Sequence, residues 1–402
     1  MGEIERKTSP IGATPLYMKS NRTTLNTTFT TNEHMSQSEL PFDAGANVRL
    51  TLAERMATSR LSSIPKLIPH TDDRWVLASN LQKAIRRGLV PTAVATAVRL
   101  LTVDPRYFWR RLLVIAYEDI GFGDISLCQD LLRTFRREAL HREIGPERVA
   151  VYFIRELANA RKSRALCDAI ALLEFSIHRT EYERQCFALT DEQLVVAACD
   201  AHIPIINRIA ALRHICGYRQ YAQGTYRTVT PARTDLMREV CCRQQLDEVE
   251  TRLFMSGQSV SESLNITLPM IAKMVRGTTT EQQAKQRFTG KRGILYASLD
   301  RHTRTGKRCF ARLAKELTPV RELFECHPSL DPVAVLGAGV FIIDGAELDR
   351  WLVIDGADNL RQTFNQNFLE HAGLAPDDQE EFLAVVRDNL RQLNRIRAEE
   401  IA

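Results

Sequence analysis

From Asp73 to about Ile177 the chain repeats apolar residues at three- and four-residue intervals between short polar connections, a period that commits it to packed helices. Trp75, Ala78, Leu81, Gln82 and Ile85 fall near one stripe after Thr71-Asp72-Asp73, and Gly88 follows the basic Arg86-Arg87 where a helix should end. A second helix fits Pro91 to Leu101. Asp104 and Pro105 supply an N-cap and a first-turn proline for a third, running through Phe108, Leu112, Ile115 and Ile120. Asp124 can cap a fourth through Leu127, Leu131 and Phe135, Gly145-Pro146-Glu147 opens a fifth, and Ser163 can cap a sixth. No alternating strand pattern interrupts them. The expected fold is mainly α, a multi-helix bundle or stacked array.

Four regions follow from the same reading. Residues 1–67 are rich in Thr, Asn and Ser without a sustained period and are expected to form a disordered leader, with Met35 as an alternative start. Residues 70–180 make a first helical domain, and 181–343 a second, with helices over Glu192 to Asp200, Pro204 to Tyr218 and Thr234 to Phe254. Residues 344–402 form an acidic region ending in an amphipathic helix from Pro376 to Glu400. The apolar stretch Val333 to Val353, with Gly337, Gly339 and Gly345, fits either a buried helix broken by turns or a short hairpin.

With 402 residues and 44% hydrophobic content, two or three ordinary cores are possible, and 26% charged residues exclude a wholly disordered chain. No window approaches 18 consecutive apolar residues and the first 40 lack signal-peptide order, so a cytoplasmic protein without membrane contact is expected. Nine cysteines, with no Cys-x-x-Cys and no His at zinc-ligand spacing, indicate neither a disulfide framework nor a metal site. Nor does anything indicate a cofactor.

Net charge of +5 hides an asymmetry. Residues 344–402 carry 13 Asp/Glu against 6 Lys/Arg, a balance of −7, which leaves +12 on residues 1–343. A basic body with an acidic end suits a polyanion, and DNA is the leading partner. The charge concentrates in residues 281–308, where Lys285, Arg287, Lys291, Arg292, Arg301, Arg304, Lys307 and Arg308 face only Glu281 and Asp300.

Two constellations hold the residue types that chemistry needs. Tyr296 to Arg308 packs Asp300, His302, three small hydroxyls, a phenol and several cations into a short span, so Asp300 and His302 are candidates for general base and proton carrier. Lys291, Arg292, Arg301, Arg304, Lys307 and Arg308 are candidate phosphate contacts. The plain alternative is a solvated basic loop in which Asp300 caps a helix. The other constellation is Arg110-Arg111 followed by Glu118-Asp119, where Arg111 and Glu118 share a helix face. Either it is a salt-bridged helix end, or Glu118 and Asp119 serve as reserve catalytic carboxylates beside DNA-contacting Arg110 and Arg111. Tyr107, Phe108 and Trp109 offer a base-stacking ring or, equally, core.

Three stretches, Leu81 to Gly88, Arg110 to Gly121 and Lys162-Ser163-Arg164, resemble the C-terminal helical region of the RarA/MgsA family, clamp-loader-like AAA+ ATPases that act at replication forks. The resemblance covers about residues 73–177, roughly a quarter of the chain. Those proteins carry an ATPase module ahead of this region, whereas no Gly-x-x-x-x-Gly-Lys-Ser/Thr exists here: Thr305-Gly306-Lys307 is followed by Arg308. The resemblance therefore implies a helical, DNA-associated scaffold without ATP hydrolysis. A RarA-like helical region without an ATPase also looks like the bacterial antiviral DNA glycosylases, which excise glucosylated hydroxymethylcytosine from phage DNA. That likeness, one of architecture and context only, implies base excision, for which the residues themselves offer Asp300 as the favoured carboxylate and Glu118 and Asp119 in reserve. An ATPase-less accessory protein of replication or recombination, or a helical scaffold whose acidic end docks a basic partner, fits the same composition.

Overall fold

In the computed structural model, residues 52–58, 68–135, 137–220, 226–228, 231–256, 264–277 and 279–401 are described. They form a mainly helical array with three small two-stranded sheets. Met35 and most of the expected leader lie outside the described residues. Residues 52–58 correct that expectation, because they form a helix, α1, that sinks Leu52 and Met56 into the core. Arg148 fastens it by donating to the Ala57 carbonyl at 2.9 Å.

The first domain follows its caps. Helix α2 (Arg74–Arg86) starts where the Asp73 carboxylate accepts from the Trp75 and Val76 amides, and α3 (Val90–Val103) packs back on it. Asp104 accepts from the Tyr107 amide at 3.0 Å to open α4 (Pro105–Ile115). The expected continuation of α4 to Ile120 is corrected: Ala116–Ile120 forms a π-helical turn, closed by Gly121 at φ 45°. That wider turn brings Glu118 and Asp119 inward together, whereas adjacent residues of an α-helix diverge by about 100°. Helices α5 (Ile125–Phe135), α6 (Glu138–Ile144), α7 (Pro146–Asn159) and α8 (Ala165–Glu174) follow, with α6 unforeseen. Ser163 caps nothing, since the N-cap of α8 is Arg164 and the Ser163 amide donates instead to the Asp119 carbonyl at 2.9 Å.

Next come α9 (Arg179–Phe187), α10 (Asp191–Cys199), held by a Thr190–Gln193 capping box, and α11 (Ile205–Ile215), before the hairpin of β1 (Tyr218–Gln220) and β2 (Tyr226–Thr228). The single helix expected over Thr234 to Phe254 is two, α12 (Thr234–Arg243) and α13 (Glu248–Ser256), parted where Gln245 adopts φ 52°. Helix α14 (Leu268–Val275) precedes the basic island, which runs through turns and the short strands β3 (Thr279–Gln283), β4 (Gly290–Lys291) and β5 (Ile294–Leu295) before its last residues enter a helix. Helices α15 (Arg304–Glu316), α16 (Thr318–Cys326) and α17 (Pro332–Val340) complete this part.

The Val333 to Val353 stretch is a helix and a strand in succession. After α17 a π-helical turn at Phe341–Gly345 leads to β6 (Arg350–Ile354), which pairs antiparallel with β3 from Thr279↔Ile354 to Gln283↔Arg350. The expected C-terminal helix is also split, into α19 (Gln379–Asp388) and α20 (Leu390–Glu400) after α18 (Ala357–His371), with Asn389 between them.

The main apolar core of the described residues runs from Leu52 to Ile396 and crosses every expected border, with a small second cluster of Val76, Ile294 and Leu299 beside it. Asn80 on α2 shows how the distant parts lock. Its side-chain amide donates to the Gly293 carbonyl at 3.0 Å and its oxygen accepts from the Leu295 amide at 2.8 Å, stapling the β4–β5 hairpin to the first domain. From there the chain enters Asp300 directly over α2. Thr303 then caps α15, its hydroxyl accepting from the Gly306 amide at 2.9 Å and donating to the Asp300 carbonyl at 3.0 Å. Gly306 must lack a side chain, because a Cβ there would stand 2.1 Å from the Asp300 carbonyl oxygen. Gly306→Ala is expected to displace the Asp300 loop and lower Tm by several degrees, which thermal unfolding beside wild type would measure.

Candidate active site

The two constellations singled out in the sequence meet in one cleft. Its walls come from α2, α4, the π-turn and the loop before α15: Trp75, Ser79, Gln82, Lys83, Arg86, Tyr107, Arg111, Glu118, Asp300, His302 and, from the far side, Phe341. The cavity measures about 70 Å3. Trp75 and Tyr107 stand edge to face with ring centroids 5.3 Å apart, and Arg74 lies over both rings.

Asp300 occupies the floor. One carboxylate oxygen, Oδ2, accepts from the Ser79 hydroxyl at 2.7 Å and is ion-paired with the Lys83 ammonium, while Oδ1 accepts from the His302 amide at 2.9 Å. Ser79 and Lys83 sit one turn apart on α2, so the helix presents both to the same carboxylate, and Lys83 also donates to the Ser79 hydroxyl at 3.0 Å. Burial alone would push the Asp300 carboxyl up, but the Lys83 charge, then His302 and the two hydrogen bonds, outweigh it and hold the group well below the usual carboxylate range. Burial draws the Lys83 ammonium below its ordinary value despite the Asp300 charge, with Arg86 and Arg111 adding to the effect. The resting state is thus an ion pair whose lysine gives up its proton more readily than a free one.

His302 stands at the mouth with an edge open to solvent. Crowding of its other side, then the neighbouring Arg301 and Lys83, prevail over Asp300 and push its pKa down to about 4, so the imidazole is neutral at pH 7. The Tyr107 hydroxyl, raised in pKa by burial, has no hydrogen-bond partner although the residue is only 9% exposed. A buried phenol without a protein partner in a cleft wall can bond a water or a ligand atom.

Beneath the cleft lies a saturated ionic network. Arg86 donates from Nε to Asp119 at 2.5 Å, from Nη2 to Glu118 at 3.0 Å and from Nη1 to the Gly345 carbonyl at 2.7 Å. Arg164 pairs with Asp119 at 3.0 Å, and Gln82 donates to the same carboxylate at 2.8 Å. Burial raises the Glu118 carboxyl, and Arg86, Arg111 and Arg164 together bring it down to about 2. Glu118 lines the cleft; Asp119 is wholly enclosed beneath it.

The candidate phosphate contacts divide. Arg110, Arg292, Arg304 and Lys307 are exposed, two of them beside cleft residues in sequence, Arg110 next to Arg111 and Arg304 two beyond His302. The others are engaged within the chain. Arg111 bonds the Gln82 side chain, Arg301 lies 4.7 Å over the Phe368 ring, Arg308 pairs with Glu400 at 3.1 Å, and Lys291 donates to the Ala398 carbonyl at 3.2 Å. The last turn of the C-terminal helix, through Glu400 and the Ala398 carbonyl, therefore folds onto the basic island of its own chain.

Sequence reasoning missed Lys83, Ser79 and Trp75. Ser79 and Lys83 are four apart on one helix face, a visible spacing, but nothing local revealed that a carboxylate 217 residues away would meet them.

Among the described residues no helix is long and apolar enough to cross a membrane, and no cluster of three His, Cys, Asp or Glu could hold a metal ion. No protein-family model, curated protein or solved structure matches the chain.

Proposed function

We propose that this protein binds DNA and excises a modified base from it, with glucosylated hydroxymethylcytosine of phage DNA as the substrate that the sequence resemblance implies. The observation that carries the reading is an ionised carboxylate, Asp300, on the floor of a cleft walled by Trp75 and Tyr107. Base excision needs that arrangement. An extruded nucleotide stacks on an aromatic wall, and a fixed negative charge under the sugar stabilises the oxocarbenium-like transition state and orients water for attack at the anomeric carbon. Trp75 and Tyr107 supply the wall, and the unpartnered Tyr107 hydroxyl supplies a polar contact for the base edge. A cavity of about 70 Å3 is far smaller than an ordinary ligand site. On this reading only the reacting sugar carbon and an edge of the base would enter it, and an attached glucose would stay outside the mouth.

Arg110, Arg292, Arg304 and Lys307 would hold the flanking phosphates, and alanine at each is expected to weaken binding to all sequences and reduce the salt slope by about 1 for each cation removed. Titration of a labelled duplex at several salt concentrations measures this. The deciding experiment incubates the protein with unmodified DNA and with DNA carrying modified or glucosylated cytosines, followed by alkali treatment and mass spectrometry for released bases. Released base with alkali-sensitive strands is the expected result. Intact DNA that is nevertheless shifted on a gel would replace the enzyme reading with that of a DNA-binding accessory protein.

A further inference from the structure

Base excision by Asp300 leaves Lys83 without chemistry of its own, and its placement is unusual for a residue that only balances a charge. The amine is buried on the cleft floor, held at once by a carboxylate and a hydroxyl, and it faces the space where the sugar must sit. Lysines are costly to bury, and surface pairing would neutralise a carboxylate as well. A lysine amine made less basic by burial and by neighbouring cations, as Lys83 is by Arg86 and Arg111, is suited to add to a carbonyl. The sugar that remains after base loss is a hemiacetal in equilibrium with its open-chain aldehyde, so the carbonyl would arise in this cleft.

We propose that Lys83 is a nucleophile toward the C1′ aldehyde of an abasic site, and that the protein nicks DNA after base loss. This rests on the base-excision reading for its place in the cell, but its chemistry is separable. The Lys83 nitrogen bonds to C1′, and the two protons that the ammonium gives up leave with the carbonyl oxygen as water, Asp300 carrying them. The product is a protonated imine. It acidifies C2′, whose proton passes to the Asp300 carboxylate while the C2′–H electron pair breaks the C3′–O bond. A 5′-phosphate strand departs, and water hydrolyses the imine, returning the Lys83 ammonium and leaving an unsaturated aldehyde on the other strand end. The lowered basicity of the Lys83 amine favours the proton loss that this sequence begins with.

The test uses the full chain and a duplex with one preformed abasic site, made by removing uracil enzymatically, so that it does not depend on which base the protein excises. Sodium cyanoborohydride would reduce the imine to a stable amine. Wild type is expected to give a covalent protein–DNA band on a denaturing gel, with the adduct mapped to Lys83 by peptide mass spectrometry. Lys83→Arg keeps a cation for Asp300 but forms no stable imine, and should lose at least 90% of the adduct while unfolding near the wild-type temperature. Lys83→Gln serves as a second variant if arginine does not fit. An adduct of wild-type yield in either folded variant, or no adduct from wild type on abasic DNA, would overturn the proposal. An adduct on abasic DNA with no base released from modified DNA would keep Lys83 as nucleophile and sink the excision reading instead.

Discussion

Asp300→Asn is expected to reduce base release by about 10^2–10^4-fold while leaving DNA affinity within a few-fold of wild type. The amide fills the same space and can still accept from Ser79, but it carries no charge to stabilise a developing cation and cannot polarise water. Exposed cations, not the cleft floor, set affinity. The substitution has a second consequence that makes it diagnostic. It strands the Lys83 ammonium, which is 4% exposed, without its counter-ion, and breaking a buried pair from one side costs about 3–5 kcal/mol. A lower Tm is therefore expected, and it should recover as pH rises. Lys83 is already drawn below its ordinary value of 10.5, and removing Asp300 draws it further. The folded variant then binds fewer protons than the unfolded chain between that lowered value and 10.5, so its stability grows with pH across that window. Unfolding scans at pH 7 and pH 9, beside single-turnover assays, would show both effects. Base release by Asp300→Asn at the wild-type rate would remove Asp300 from the mechanism.

The sequence made the helices of the first domain legible because their caps are local. Asp73, Asp104 with Pro105, and Asp124 each act within three residues, and each stands where a helix begins. It concealed departures that tertiary contacts impose. Apolar residues continue at helical spacing through Ile120, so nothing local marked the π-turn that swings Glu118 and Asp119 toward Arg86 and Arg164. Gln245 breaks α12 from α13 in a left-handed conformation without the glycine that would announce it. Asp300 and His302 stood out by residue type alone, yet nothing local marked Lys83 on α2 as the partner of Asp300. Charge was read too evenly. The basic island and the acidic end were both visible, but their mutual neutralisation, Arg308 and Arg312 against Glu399 and Glu400, required the fold to bring α15 and α20 together. Arg110, Arg292, Arg304 and Lys307 stay exposed among the candidate phosphate contacts, beside Lys285 and Arg287 of the basic island.

Arg86 ties the Glu118-Asp119 turn to the turn at Gly345, and its removal should be strongly destabilising. The guanidinium is 1% exposed and satisfies two carboxylates and the Gly345 carbonyl at once, so Arg86→Ala leaves three buried acceptors short of a donor. A loss of about 3–5 kcal/mol is expected, with a fall in Tm of roughly 5–10 °C. The same network sets an acid limb. Glu118 has its carboxyl held at about 2 in the fold against an ordinary 4.5, so the stability it contributes is complete above 4.5 and is lost as pH falls toward 2. The contribution is on the order of 3 kcal/mol. Glu118→Gln, which keeps the shape but cannot titrate, should be less stable than wild type at pH 7 and converge on it as the pH is lowered toward 2. Parallel curves for the two proteins over that range would place the acid sensitivity elsewhere in the chain. Because Glu118 also faces the cleft, the variant separates two roles: if its carboxylate only braces Arg86 and Arg164, base release should track the folded fraction, and a loss beyond that fraction would make Glu118 a second group acting on the sugar.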